Sequence, residues 1–196
     1  MLRRVPPRVK ADDKRRELVA QAAELFDHAG YHTTSVAELA RAVGLQKPTL
    51  YHYFSGKDEI LFWIHEEFID LLIERQEARP GLSAAESLRE IMSDVLGLMD
   101  THHGHVRVFF EHYRELSPED QATIARKRDV YQAMVEQVVA RGIATGELRD
   151  VDPRLTTLAV FGMCNWAYQW YRSDGPLSSG EIAEVFFDLV FNGLRR

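Results

Sequence analysis

The side chains with the greatest chemical reach lie between residues 35 and 57, SVAELARAVGLQKPTLYHYFSGK. Lys47 and Lys57 carry positive charge on long stems. Between them stand Thr49, Tyr51, His52 and Tyr53, which offer hydroxyl and ring N–H groups. This set suits contact with phosphate oxygens and with base edges in a major groove. A helix face built only for solubility would carry Glu and Lys rather than two tyrosines. Ser35 stands where a helix begins, and the free N–H groups of a helix start attract phosphate.

These side chains need a scaffold, and the same stretch supplies one. Val36, Leu39, Ala40 and Val43 recur at the spacing of one apolar helical face, which predicts a helix over residues 36–43. Ser35 with Glu38 forms a capping box that marks its start. Gly44 stops it by accepting a left-handed conformation. Pro48 suits the first turn of a second helix over residues 48–54. Leu50 and Phe54 point inward from that helix, leaving the polar set outward. A preceding helix over residues 12–29 places Leu18, Ala22, Leu25 and Phe26 on one face and ends at Gly30. Three helices of this size enclose a small core that leans on the next helix for stability.

The order L-x-x-A-x-x-A-E-L-F-x-x-x-G-Y-x-x-T-S-V, then A-x-x-V-G-L-x-x-x-T-L-Y-x-Y-F-x-x-K, resembles the DNA-binding domain of TetR-family transcriptional repressors. It is carried by Leu18, Ala22, Ala23, Glu24, Leu25, Phe26, Gly30, Tyr31, Thr34, Ser35, Val36, Leu39, Ala40, Gly44, Leu45, Thr49, Leu50, Tyr51, Tyr53, Phe54 and Lys57. The resemblance implies an all-α protein of about nine helices. Its N-terminal three-helix helix-turn-helix domain precedes a helical ligand-binding and dimerisation domain. It also implies that Tyr51 and Lys57 approach phosphates, while Lys47, Thr49 and His52 point into the groove and decide base preference.

The composition fits a soluble globular chain of one or two domains: 196 residues, 45% hydrophobic and 28% charged. The net charge of −6 conceals a division. Residues 1–57 hold 10 basic against 6 acidic side chains, leaving 14 against 24 in the remainder. A basic head on an acidic body meets phosphate at one end only. The expected division is a flexible basic arm over residues 1–10, the DNA-binding domain over 11–57 and the body over 58–196. Cys164 is the sole cysteine, so no intrachain disulfide can form. No signal-peptide core or membrane-spanning run is present, which predicts a cytoplasmic protein without membrane contact. His102, His103, His105 and His112 lack the fixed spacing of metal ligands, so neither metal nor cofactor is expected. No G-x-S-x-G elbow, phosphate-binding loop or H-E-x-x-H pair suggests an enzyme. An adaptor role would leave the Lys/Tyr/His face unexplained.

Beyond residue 57 the pattern stays helical, with helices expected over residues 58–79, 83–99, 106–116, 118–145, 152–172 and 180–194. Residues 101–105, THHGH, read as a break. The body is rich in aromatic and Met side chains. Phe68, Met99, Phe109, Phe110, Tyr113, Tyr131, Phe161, Trp166 and Tyr168, with the amides Asn165 and Gln169, are candidates to line a small-molecule site. Apolar walls with a few convergent polar groups are how such sites are built, although much of this set must also serve as core. The run NWAYQWYRSDGPLS resembles a branch of the family that controls fatty-acid or steroid breakdown, some of whose members sense acyl-CoA thioesters. An acyl-CoA or related lipid is therefore the expected effector, with a multidrug or other aromatic small molecule as the alternative. In that family the last two helices pair with their copies in a four-helix dimer interface. Here this implies a homodimer joined through Leu158, Gly162, Ile182, Val185, Phe186, Leu189 and Val190, reading a palindromic duplex operator and released by effector.

Overall fold

The structure, a computed structural model, describes residues 7–195, with side chains from Asp13 onward. Nine α-helices account for most of the described residues: α1 (Pro7–Ala29), α2 (Val36–Ala42), α3 (Lys47–Leu50), α4 (Lys57–Glu77), α5 (Ala84–Thr101), α6 (His103–Glu111), α7 (Pro118–Thr145), α8 (Pro153–Trp166) and α9 (Ser179–Leu194). Short 3-10 turns follow α6 (Tyr113–Glu115) and α8 (Ala167–Gln169). The only β pairing among these residues is an isolated bridge between Leu148 and Arg195.

The chain divides into two compact units. The first ends its opening segment at Phe68 and takes in Gly104–Ala122; the second comprises Ile69–His103 and Thr123 onward. The first unit thus contains the expected DNA-binding domain over residues 11–57 and runs on past residue 57. The reason is the small core of the three-helix head. Ile60, Leu61 and Ile64 of α4 are fully buried within this unit alongside Leu18, Phe26, Leu39 and Leu50. A core of this size is completed by the first turns of α4.

Besides α6, which ends at Glu111 rather than residue 116, and α3, whose α-helical residues end at Leu50 rather than residue 54, three boundaries differ from expectation. The first helix begins at Pro7 rather than residue 12, because proline is tolerated in a first turn where its missing N–H has no partner to lose. The expected arm is thus helical from Pro7, and residues 1–6 lie outside the described residues. The break over residues 101–105 contracts to His102, whose N–H still bonds the Leu98 carbonyl at 2.7 Å. The helix expected to reach residue 172 leaves α-geometry after Trp166, and a 3-10 turn follows.

In the second unit α5 packs on α9 and α8, and α8 packs on α9. Capping boxes start α5 (Ser83 with Glu86) and α9 (Ser178 with Glu181), each satisfying otherwise orphaned helix-start N–H groups. Glu147 adds a second cap: its carboxylate accepts from the Ala84 and Ala85 N–H groups, both at 2.8 Å.

Candidate nucleic-acid interface and effector region

Helix α2 is fixed by its capping box. The Glu38 N–H donates to Ser35 Oγ at 3.2 Å, and the Ser35 N–H donates to the Glu38 carboxylate at 2.8 Å. These bonds hold the Glu38 carboxyl below its ordinary pKa. They also occupy two N–H groups that the anion-site reading of Ser35 relied on. After α2, Gly44 turns the chain at φ +69°, a conformation that a side chain would strain.

Helix α3 has four α-helical residues and then tightens. His52 N–H bonds the Thr49 carbonyl at 3.1 Å and Tyr53 N–H bonds the Leu50 carbonyl at 3.0 Å, an i→i−3 pattern. Leu50 and Phe54 are buried and anchor the segment. Lys47, His52 and Tyr51 are exposed, the tyrosine at 47%, and Thr49 and Tyr53 are half-buried. The Lys47 ammonium lies 6.0 Å from the centre of the Tyr51 ring. Gln46, which the sequence pattern did not single out, is the exposed N-cap residue and gives no side-chain cap bond. Its signal was its place immediately before Lys47.

Lys57, expected to approach phosphate, is half-buried and bonded to backbone carbonyls. Its ammonium donates to the Tyr31 carbonyl at 2.8 Å and to the Thr34 carbonyl at 3.2 Å. It also lies 4.3 Å from the centre of the Tyr31 ring. Tyr31 Oη donates to Asp58 at 2.5 Å. Burial raises the Tyr31 pKa, and the hydrogen bond to Asp58 raises it further. Tyr31 and Asp58 are therefore part of this region, although nothing local in the sequence pairs residues so far apart.

The candidate effector residues fall into two groups. In the first unit Phe68 and Phe109 meet with ring centres 4.3 Å apart, and Phe110 and Tyr113 complete a cluster around the buried His65. In the second unit Tyr131 stacks on Phe161 at 5.4 Å, and Met99 and Cys164 are buried. Burial raises the Tyr131 phenol, and the Asp94 charge raises it further. Asp94 itself is gripped by Arg79 and Arg75. Burial also pushes the Cys164 thiol up to about 12, so it stays protonated. Asn165 and Tyr168 are half-buried, Gln169 is exposed, and Trp166 is 63% exposed.

Of the residues expected between subunits, Leu158, Gly162, Val185 and Leu189 are exposed, the last at 65%. Phe186 and Val190 are half-buried. Ile182 is buried within the chain and belongs to the core instead.

The profile described as "Bacterial regulatory proteins, tetR family" matches residues 18–63, and "Tetracyclin repressor-like, C-terminal domain" matches residues 81–194. The chain belongs to the TetR family. Like its relatives, this TetR-family chain is a transcriptional regulator. It is 25% identical over 191 residues to the HTH-type transcriptional repressor KstR2 of Mycobacterium tuberculosis, covering 95% of this chain and 96% of that protein. The crystal structure of the TetR regulator PfmR from Thermus thermophilus matches with a TM-score of 0.85 and 34% identity, over 91% of this chain and 99% of that one. AibR, in complex with isovaleryl coenzyme A and operator DNA, matches with a TM-score of 0.81 and 28% identity, over 91% and 98%. Among the described residues of this TetR-family member, no helix is long and apolar enough to cross a membrane.

Proposed function

We propose that this chain is a repressor that binds a two-fold symmetric duplex operator as a homodimer and is released by an acyl-CoA thioester. The observation that carries DNA reading is the arrangement on α3: Lys47, Tyr51 and His52 stand exposed on a segment pinned by buried Leu50 and Phe54. Rigid anchoring with outward donors is what major-groove readout requires. Lys47 and Tyr51 supply phosphate and groove contacts, and Thr49 and His52 decide base preference. Dimerisation is supported by the exposed apolar side chains of α8 and α9, Leu155, Leu158, Val185 and Leu189, which a lone subunit leaves in water. A two-fold protein matches a palindromic site.

The effector class is supported by likeness to AibR, which holds isovaleryl coenzyme A, and by the aromatic second unit. Tyr131, Phe161 and Met99 supply apolar surface, while Asn165 and Tyr168 are half-buried polar groups at the end of α8 and in the turn after it. Release requires the effector to prefer a conformation whose recognition helices no longer match the half-site spacing. Fluorescence anisotropy on a selected operator, titrated with isovaleryl-CoA, longer acyl-CoAs, the matching free acids and aromatic drug-like cations, tests the effector. Release by thioesters and not by free acids is expected. Release by the aromatic cations alone would replace the thioester with a multidrug effector.

A further inference from the structure

We infer that Lys57 is a positioning residue: with Tyr31 and Asp58 it ties the first turn of α4 to the loop between α1 and α2, setting the pose in which α3 meets DNA. The inference rests on the DNA-binding reading above and assigns Lys57 a different task from the phosphate contact its place in the motif implies.

Two of the three ammonium donors are taken by backbone carbonyls of that loop, Tyr31 at 2.8 Å and Thr34 at 3.2 Å. The charge sits on the face of the Tyr31 ring at 4.3 Å, within cation–π range. Tyr31 is held in turn from other sides. Its hydroxyl donates to Asp58, the residue next to Lys57, and its ring meets the edge of Phe26 at 5.1 Å. The Thr34 side chain is buried and donates to the Gly30 carbonyl at 2.7 Å. Only the third N–H is left for a phosphate, and a closer approach would cost Lys57 both carbonyls and the ring, leaving part-buried acceptors unpaired. Lys47 bears no such ties beyond a ring centre 6.0 Å away and is exposed.

The lock matters for α3 because the turn between α3 and α4 is short and itself fastened. The Ser55 N–H donates to the Glu59 carboxylate, in the same first turn of α4. Whatever fixes that turn against the α1–α2 loop therefore fixes where α3 ends. Loss of the lock lets the segment occupy poses that still meet phosphate but no longer align Thr49 and His52 with base edges.

Three roles for Lys57 predict different outcomes. A phosphate contact supports all duplexes alike and adds about 0.9 to the salt slope. A purely stabilising residue changes neither affinity once the variant is shown to be folded. A positioning residue supports the operator but not unrelated DNA. The test uses the full chain carrying Lys57→Arg or Tyr31→Phe, neither of which changes charge, with folding confirmed by circular dichroism. Arginine keeps the charge for a phosphate, but its planar guanidinium does not reproduce a compact ammonium seated between two carbonyls.

Each variant is expected to bind the operator about tenfold more weakly, the equivalent of one lost charged hydrogen bond. Affinity for unrelated duplex and the salt slope should stay at the wild-type values. Wild-type operator affinity in both folded variants overturns the inference. So does a Lys57→Met variant that weakens both duplexes equally with a slope shallower by about one unit. Failure of the wild-type chain to prefer any sequence instead sinks the DNA-binding reading, and so is distinguishable.

Discussion

His65 sits on α4 with no exposed surface, beneath the rings of Phe109 at 5.4 Å and Tyr113 at 6.3 Å. Its Nδ1–H donates to the Leu61 carbonyl at 2.9 Å. Burial lowers its pKa to about 4; the Leu61 carbonyl opposes that shift and a charge on His112 reinforces it. The folded state therefore resists a proton that the unfolded chain accepts at about 6.5. Stability is unaffected by this group above that value and falls as pH drops from about 6.5 toward 4. Between pH 7.5 and 5 the loss from His65 is about 2 kcal/mol. Urea unfolding at those two pH values should show this decline in the wild type and little of it in His65→Leu. An equal decline in both would contradict the assignment. At this scale the sequence was legible wherever helical spacing decides the outcome: Leu50 and Phe54 go inward, while Lys47 and His52 go outward. It gave no sign of the ties at Lys57, whose partners Tyr31 and Thr34 lie 26 and 23 residues away and cannot be inferred from periodicity.

Among the elements, α6 is placed by one glycine. A Cβ built on Gly104 would lie 2.7 Å from the Ala23 carbonyl carbon and from the Glu24 nitrogen. Those are backbone atoms of α1, which cannot rotate away as a side chain can. The Gly104 N–H also donates to the Glu24 carboxylate at 3.1 Å, and Arg107 pairs with Asp27 one turn further along α1. Gly104→Ala should therefore destabilise the protein by about 1–3 kcal/mol, as overpacking does. Gly97→Ala is the matched control, since nothing approaches within 4 Å of its Cβ position in the middle of α5. There alanine should stabilise by up to about 1 kcal/mol through helix propensity. Denaturant midpoints for the pair decide the matter, and equal effects would remove α1 as the cause. Helix starts were easier to read than these contacts. The capping boxes at Ser35 and Ser83 are local patterns and form as expected. The polar, Gly-containing THHGH looked like a loop for equally local reasons. Its helicity is supported by α1, which is distant in sequence.

For the whole molecule, the family and the all-helical architecture were carried by motif order in the first third and by apolar periodicity thereafter. The division into units was not, because its three boundaries fall inside helices, within α4 and α7 and after the first residue of α6. Nor could the sequence sort Ile182, which is buried, from Val185 and Leu189, which remain exposed one turn or more along α9. That exposed strip bears on the central claim, since a two-fold assembly makes two α3 segments read one site. Selection of bound duplexes from random DNA, followed by footprinting of the selected site, tests it most directly. An inverted repeat whose half-sites lie in successive major grooves, protected symmetrically and released by an acyl-CoA, is expected. A selective footprint without two-fold symmetry, or no enriched sequence at all, would contradict it.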